Sequence, residues 1–455
     1  MLIIVVLERT KQEKERKIKL MKKIEEYIKN EYKNNALWFI DEVNKPSNTT
    51  RIGKVRGLKN YLHGKHKTLT RQDCKFKEQE FKVKKLVLQN AKTILNFHSI
   101  YLLGNPISLT GTEELIDKLQ DIYNYGSYND VDFELLDKLV KYGDSYEYIY
   151  IDDNDNITSK VIDNSCSYPV YNEKGEYIAF IEHWSNIENK NYWIVYYKDC
   201  IQEFNDLGDK VSMVGEYKNI SGLPLHYKGI NDWDNTMGEG LLENVIPILD
   251  EIEDLMSKMG DAIYTLSLNP LLFTTGQAIE GNGVSNDMVG MNVALENGSS
   301  MEYVSAIMDY STIKYYLDTL QNELNVISYM PSILGGNGNI ANVSEVSLKM
   351  LYSLADVYAM LNEKVLRRGF NERFNIIRRL IGEEDRKQYV NVTFNYSRPQ
   401  NASELLDNMK KQFDMNAISL QTIIEKSPLT DDVVMELERL EQNCNVKSES
   451  DEKSK

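Results

Sequence analysis

Few stretches of this 455-residue sequence combine the residue types and spacing that catalysis requires. The stretch from Gly335 to Asn339 precedes a helix-forming run, as a phosphate-cradling loop would, but it lacks the Gly-Lys-Ser/Thr ending. The run from Asp152 to Asn156 begins like a calcium loop, but Ile157 stands where the sharp turn needs glycine. We therefore expect a hairpin turn at 152–156 and no nucleotide site at 335–339.

Metal-binding and nucleophile motifs are equally weak. His63 and His66 lie three residues apart without a thiol or acidic partner at ligand spacing. The four cysteines are widely scattered, which argues against both a disulfide framework and a thiolate metal site and favours an intracellular origin. A Gly-x-Ser-x-Gly elbow is absent. The sequence predicts a protein that is not an enzyme and uses no cofactor or metal.

Charge is distributed unevenly along the chain. The net charge is −16, yet residues 1–100 hold 24 Lys and Arg against 11 Asp and Glu, a local excess of +13 that leaves −29 for the remainder. Residues 239–263 carry seven acidic side chains against the single Lys258. Such a stretch is either the solvated face of an amphipathic helix or a charged wall that repels a polyanion. The seven are Glu239, Glu243, Asp250, Glu251, Glu253, Asp254 and Asp261.

Three helical runs with apolar seams position these residues. The first seam is Val245, Leu249, Ile252, Met256, Met259 and Ile263, and the second is Ile313, Leu317, Leu320, Leu324 and Ile327. Both follow the alternating three and four spacing of one helix face, so we expect the two helices to pack side by side. A Pro/Gly/Asn-rich break follows at 331–342. A third run then continues with Val346, Met350, Leu354, Val357 and Leu361.

The other elements are read from periodicity and turn signals. We expect a helix over residues 8–44 that Pro46 breaks, and a second helix from about Lys84 to Leu103. Two more helices are expected near 112–123 and 130–142, then a β-rich region at 144–230, a mixed insertion at 267–308, a strand at 389–394 and closing helices at 403–441. The fold class is therefore α+β and predominantly helical.

Length and composition fit a folded protein of two to four units. Hydrophobic residues make up 42% of the chain and charged residues 27%. The apolar run at residues 1–7 is too short to span a bilayer and has no basic region before it, so no membrane association is expected. An amphipathic run begins at Met21, which would make residues 1–20 an upstream extension.

The ordered set of motifs resembles the portal proteins, or head-to-tail connectors, of long-tailed bacteriophages. No single motif is diagnostic, and the resemblance covers residues 50 to 443. The matching stretches are 60–67, 90–106, 142–148, 238–251, 310–380 and 397–404.

The resemblance implies a ring of subunits, commonly twelve, around a central channel. It implies a wing at 1–235, a first stem helix at 236–265, a clip at 266–309 and a second stem helix at 310–330. It also implies a tunnel loop at 331–342, a long wing helix and strand at 343–400, and a crown with a charged tail at 401–455. The tunnel-loop residues expected to line the channel are Ile333, Leu334, Gly335, Gly336, Asn337, Gly338, Asn339 and Ile340.

In such a portal, Glu243, Asp250, Glu251 and Asp254 form an acidic stem face. An acidic wall repels duplex DNA and lets it slide, whereas a basic wall would hold its phosphates. The implied partners are further copies of the chain, double-stranded DNA read without sequence specificity, the terminase packaging ATPase, capsid or scaffold proteins, and a head-completion or tail adaptor protein. The implied location is one capsid vertex of the virion, after assembly in the host cytoplasm.

Two other functions compete with this interpretation. A nonspecific DNA-binding packaging enzyme would need a phosphate loop and acidic metal ligands, which the sequence lacks. A coiled-coil interaction scaffold would need longer uninterrupted heptads than helices of about 20 to 25 residues provide.

Overall fold

The structure is a computed structural model of the whole chain. The residues that it describes are 22–76, 79–207, 210–263, 271–276, 295–304, 309–331, 345–383, 385, 387–399, 402–427, 430, 435–436 and 439–440.

Helices dominate the described residues. Each long helix has an apolar face, and several begin at a residue that favours a helix start, such as Pro46 or Thr112. In chain order they are α1 (residues 22–32), α2 (Trp38–Val43), α3 (Pro46–Leu62), α4 (Asn90–Leu103), α5 (Glu113–Tyr125), α6 (Tyr128–Tyr142), α7 (Leu241–Ala262), α8 (Tyr310–Ile327), α9 (Glu345–Leu351), α10 (Ser353–Leu380), α11 (Ala402–Asp414) and α12 (Leu420–Lys426).

The strands form small antiparallel sheets. A five-stranded sheet has the order β10-β9-β8-β7-β6, a three-stranded sheet has the order β11-β4-β5, and three strand pairs are β1-β2, β14-β3 and β12-β13. The strands are β1 (Cys74–Phe76), β2 (Gln79–Phe81), β3 (Ser108–Gly111), β4 (Asp144–Ile151), β5 (Ile157–Ile162), β6 (Ser167–Tyr171), β7 (Tyr177–Ser185), β8 (Asn191–Tyr196), β9 (Cys200–Asn205), β10 (Ser212–Lys218), β11 (Leu225–Lys228), β12 (Leu271–Thr275), β13 (Ser300–Val304) and β14 (Val390–Thr393).

The chain divides into two compact units. The first comprises residues 1–330 and 355–397 and contains both larger sheets. The second comprises residues 331–354 and 398–455 and contains α9, α11 and α12. The α+β class predicted from the sequence is confirmed.

One apolar core of the first unit joins the N-terminal helices to the five-stranded sheet. Trp38 and Phe39 of α2 are almost fully buried, and the Phe39 ring lies 4.4 Å from Phe204 and 5.9 Å from Trp193. The Trp38 indole N–H donates to the Tyr197 hydroxyl at 3.1 Å. Burial of these rings anchors the basic N-terminal segment on the sheet.

A glycine contact determines how the chain enters α7. Gly143 has a φ of +81°, and a Cβ added at Gly238 would lie 1.9 Å from the Gly143 carbonyl oxygen. The Gly238 amide donates to the Asp144 carboxylate at 2.8 Å, and the same oxygen lies 2.7 Å from His226 Nε2. Only glycine permits this close approach of two backbones. Two of the sequence stretches that carried the resemblance therefore meet here.

A buried guanidinium connects α10 with α6 and β4. Arg373 is fully buried, 2.5 Å from Asp132 and 2.9 Å from Glu147. Glu147 also accepts from the Tyr227 hydroxyl at 2.5 Å and from Ser159 at 2.6 Å. Burial raises the pKa of Asp132 to about 7, against the opposing attraction of Arg373. The cluster places two carboxylates around one cation without access to water.

Several sequence predictions match these elements. The hairpin turn at 152–156 is present, because the Asp152 carboxylate accepts the amides of Asn154 and Asn156 at 2.9 and 2.8 Å and links β4 to β5. The β-rich region, the strand β14 and the helices α5, α6, α7 and α8 also lie where predicted.

Other predictions are wrong. The helix expected over residues 8–44 is interrupted at residues 33–37, between α1 and α2. Pro46 begins α3 rather than a break, because proline is well suited to the first helical position. Residues 84–88 form neither a helix nor a strand. In the third seam, Val357 is 47% exposed, whereas Ala355 and Ala359 are buried on the face that α10 turns inward. Small residues let a helix approach its neighbours closely, which hydrophobic spacing alone does not reveal.

Among the described residues, no helix has both the length and the apolar character needed to cross a bilayer.

Replacing Arg373 with Leu should destabilise the protein strongly, because Asp132 and Glu147 would stay buried without a cation. The loss in free energy of unfolding should be about 3–5 kcal/mol, measured by urea denaturation. Arg368→Leu is the matched control, since Arg368 is exposed on the same helix, and it should change stability by less than about 0.5 kcal/mol. Equal unfolding midpoints for the two variants would contradict the role of Arg373.

Candidate functional site

Helices α7 and α8 pack against each other, as expected from their apolar seams. Val245, Leu249 and Ile252 of the first seam are buried, Met256 and Met259 are half-buried, and Ile263 is 43% exposed. Pro247 lies inside α7 rather than at its start. The helix pair is therefore well covered near the beginning of α7 and less so towards its end.

Helix α8 is poorly covered in the single chain. Leu324 is its only buried residue, although the helix has 18 residues and an apolar face. Tyr310, Tyr315 and Val326 are 65%, 75% and 55% exposed. A surface helix of a monomer normally buries an apolar stripe along its whole length. The exposed apolar side chains of α8 thus form a surface suited to contact with another protein chain.

A polar stripe on α7 holds residues 84–88, which we call the strap. Glu253, Ser257 and Asp261 lie four residues apart on one helix face. The Leu88 amide donates to Glu253 at 2.7 Å, the Leu86 amide to Ser257 at 3.0 Å and the Lys84 amide to Asp261 at 2.7 Å.

The spacing of the strap matches that of the helix. Four helical residues advance about 6 Å along the axis, and two extended residues advance about 6.6 Å. Alternate strap amides therefore meet successive turns of α7, with the two chains running in opposite directions. The strap satisfies these amides through α7 side chains, which explains why the predicted helix begins only at Asn90.

A buried histidine completes the contact. His66 Nδ1 lies 2.7 Å from the Glu253 carboxylate, and its Nε2 lies 2.9 Å from the Tyr61 carbonyl oxygen. The imidazole also stacks on the Tyr61 ring, with centroids 3.9 Å apart. Glu253 is 1% exposed, so the interpretation of the acidic helix as a uniformly solvated face is wrong for this residue.

Basic residues of the N-terminal region lie beside most of the predicted acidic stem face. Glu243 forms an ion pair with Lys54 of α3. Asp254 lies 3.7 Å from Arg71 and 2.5 Å from Lys258. Burial raises the pKa of Asp250, although Lys67 and His66 oppose the rise. The charge asymmetry of the sequence is thus partly neutralised within the folded chain.

Glu251 is the exposed member of this set. Its carboxylate accepts a hydrogen bond from the Tyr316 hydroxyl of α8 at 3.2 Å, and the residue remains open to solvent. Glu251 is therefore the one exposed residue of the four, whereas Glu243, Asp250 and Asp254 are half-buried.

The predicted channel residues Ile333 to Ile340 lie outside the described residues. Of the predicted clip, the structure describes the antiparallel pair β12 and β13, in which Leu271 is opposite Val304 and Thr275 is opposite Ser300. The insertion between the two long helices therefore contains a β-hairpin-like pair, in agreement with the mixed character expected from its sequence.

The strap and the buried Arg373 cluster were not predicted from the sequence. The four-residue spacing of Glu253, Ser257 and Asp261 was a usable signal, since it forms a polar stripe beside an apolar seam. Nothing in the sequence pairs Arg373 with Asp132 and Glu147, which lie more than 220 positions away. Within the described ranges, no group of three or more His, Cys, Asp or Glu side chains could hold a metal ion.

Ser257→Ala should release the centre of the strap. The Leu86 amide would lose its acceptor and Thr68 its 3.1 Å hydroxyl partner, at a cost of about 1–2 kcal/mol. Hydrogen exchange should become faster at Leu86 than in the wild type, while β7 and β8 remain protected. Lys258→Ala, an exposed change on the next residue, is the control. Unchanged exchange at Leu86 would refute the stabilising role of Ser257.

Comparison with known proteins places this architecture in a family. The sequence matches the family described as phage portal protein, SPP1 Gp6-like, over residues 7–446. A comparison with curated proteins gives no match.

Similar solved structures come from gene transfer agent (GTA) particles. The neck of the empty particle, computed with C6 symmetry, has a TM-score of 0.48 and 10% identity and covers 72% of this chain and 86% of that chain. The neck of the native particle, computed with C12 symmetry, has a TM-score of 0.45 and 13% identity, with coverage of 74% and 91%. The virion of the native particle has a TM-score of 0.44 and 11% identity, with coverage of 74% and 87%.

The family match spans nearly the whole chain, whereas the structural similarities are distant. This family is structural rather than enzymatic, in agreement with the lack of catalytic motifs in the sequence. The chain belongs to the phage portal protein family, SPP1 Gp6-like.

Proposed function

We propose that this portal protein assembles into a ring at one capsid vertex and forms the channel through which DNA is packaged and later ejected. The observation that carries the proposal is the incomplete burial of α8, in which Leu324 alone is buried. A long amphipathic helix gains most of its stability from packing its apolar face. A neighbouring copy that covers α8 would supply that packing, and head-to-tail contacts of this kind form a ring when the rotation between copies closes on itself.

The charges near α7 support DNA passage without binding. Lys54, Arg71 and Lys258 pair with carboxylates of the same chain, which reduces their attraction for phosphates. Glu251 remains exposed beside α8. A channel wall with this balance would repel the duplex weakly, in contrast to the counterion-releasing cationic surface of DNA-binding proteins.

The remaining assignments follow the portal plan. We propose that the insertion containing β12 and β13 is the clip and binds the terminase packaging ATPase. Residues 331–342 would form the tunnel loop, and the N-terminal region would face capsid or scaffold proteins. Head-completion or tail adaptor proteins would bind after packaging, which places the protein in the virion.

Ring assembly should be visible directly. Native mass spectrometry of the purified chain should show a species of more than ten subunits. Tyr315→Lys should weaken assembly by placing a charge in the exposed apolar surface of α8, whereas Gln321→Lys adds the same charge at an exposed polar position of that helix. A wild-type chain that stays monomeric or dimeric at all concentrations would exclude the ring. Equal assembly of the two variants would exclude α8 as the interface.

Charge in the proposed tunnel loop should obstruct DNA. Replacing Asn337 and Asn339 with Lys would put a ring of positive charge at the constriction, where it would attract phosphates. Particles that carry this variant should contain less nuclease-protected DNA, although the ring should assemble normally. The matched neutral control replaces both residues with Gln. Normal packaging by the Lys variant would argue against this placement of the loop.

A further inference from the structure

The last turn of α8 ends in an unusual backbone conformation. The amides of Ser328, Tyr329 and Met330 donate back to the carbonyls of Leu324, Val326 and Asn325 at 2.9, 3.2 and 2.9 Å. Tyr329 has a φ of +55°, in the left-handed region. Helices commonly end in this conformation, but glycine or asparagine usually occupies the position. A bulky residue stays there only when surrounding contacts hold it.

Two side chains from other helices supply those contacts. The Tyr329 ring stacks on Tyr358 of α10, with centroids 5.0 Å apart and planes inclined by 20°. The Tyr358 ring in turn meets His98 of α4 edge-on at 4.7 Å. His98 Nε2 lies 2.6 Å from the Ser328 carbonyl oxygen. The backbone and the side chain at the end of α8 are thus both held from outside the helix.

The hydrogen bond defines the state of the histidine. A carbonyl oxygen can only accept, so His98 Nε2 must carry the hydrogen. Burial lowers the pKa of His98 to about 4, so the imidazole is neutral near pH 7. A neutral donor of this kind fixes the Ser328 carbonyl without placing a buried charge beside α8.

A side-chain hydrogen bond also joins α4 to α10. The Tyr101 hydroxyl donates to the Asp356 carboxylate at 2.5 Å, close to His98 and Tyr358 along their helices. Ser328 is fully buried and Met330 is 6% exposed. The end of α8 therefore lies in a buried socket built by two helices rather than at a free surface.

We propose that His98 and Tyr358 are positioning residues that hold Ser328 and Tyr329, and so set the point and direction at which the chain leaves α8. This inference rests on the proposed function, since the segment that follows would be the channel loop. Rotation of Tyr329 out of the left-handed region would redirect all of the following chain. In a ring, the socket would give every copy of that segment the same starting position.

Hydrogen exchange in the assembled protein tests the socket without reference to DNA. His98→Leu removes the donor to Ser328, and loss of one such hydrogen bond should speed exchange at Ser328, Tyr329 and Met330 about fivefold. His98→Gln retains an N–H donor and should restore much of the protection. Ile100→Ala, on the exposed side of the same helix, is the control. Wild-type exchange in His98→Leu, or equal exchange in the Leu and Gln variants, would overturn the proposal.

A second variant keeps the test decisive if His98→Leu fails to fold. Tyr358→Leu leaves Tyr329 in place but removes the ring that stacks on it. It should raise exchange at the end of α8 while amides in its first half stay as in the wild type. If exchange at Met330 does not rise, Tyr358 does not hold the turn.

Nuclease-protected DNA gives the second readout. His98→Leu should reduce packaging while leaving the ring intact, and His98→Gln should recover it. Faster exchange with normal packaging would overturn the positioning role while leaving the proposed channel untouched. Failure of the wild-type chain to form a ring would instead contradict the proposed function, and the exchange data would still report on the socket.

Discussion

The Arg373 guanidinium lies in a water-free site between Asp132 and Glu147, and three elements depend on it. Asp132 belongs to α6 and Glu147 to β4, whereas Arg373 belongs to α10. A buried charge without its partners costs several kcal/mol, so these elements cannot separate without unfolding the unit. The end of α6 and the beginning of β4 form the glycine contact with Gly238, where the chain turns into α7. The position of α7 is thus linked to the ion pairs of Arg373 with Asp132 and Glu147.

Helix α7 uses different chemistry on different faces. One side of the helix packs against α8, and its polar stripe accepts the strap amides through Glu253, Ser257 and Asp261. The strap leads into α4, which carries His98 to the end of α8. Residues 84–98 therefore contact α7 through backbone amides and the end of α8 through the His98 imidazole. Side-chain acceptors on a helix can fix an adjacent segment of chain in register much as a neighbouring strand would.

Features that depend on residues close together in the sequence could be predicted, whereas features that depend on distant residues could not. Hydrophobic spacing predicted α7, α8 and their mutual packing, because the seam is a property of neighbouring residues. It failed for residues 84–88, whose conformation is decided by amide acceptors more than 160 positions away. Charge patterning also led us to consider Glu253 a solvated side chain. The sequence does not distinguish a carboxylate that contacts a distant histidine from one that is hydrated. The fold class and family followed from patterns, whereas the polar contacts that hold the site required coordinates.

Neutralisation within the chain matters for how copies can approach each other. Residues of α7 carry Glu243, Asp250, Glu251, Glu253, Asp254 and Asp261 against Lys258. Copies of so acidic a helix arranged around an axis would repel one another if all these charges stayed free. Lys54 and Arg71 reduce that repulsion within the single chain.

Helix α8 carries only Lys314, Asp318 and Glu323 as charged residues and leaves apolar side chains exposed. In the proposed ring, association through α8 would therefore bury apolar surface where repulsion between copies is smallest.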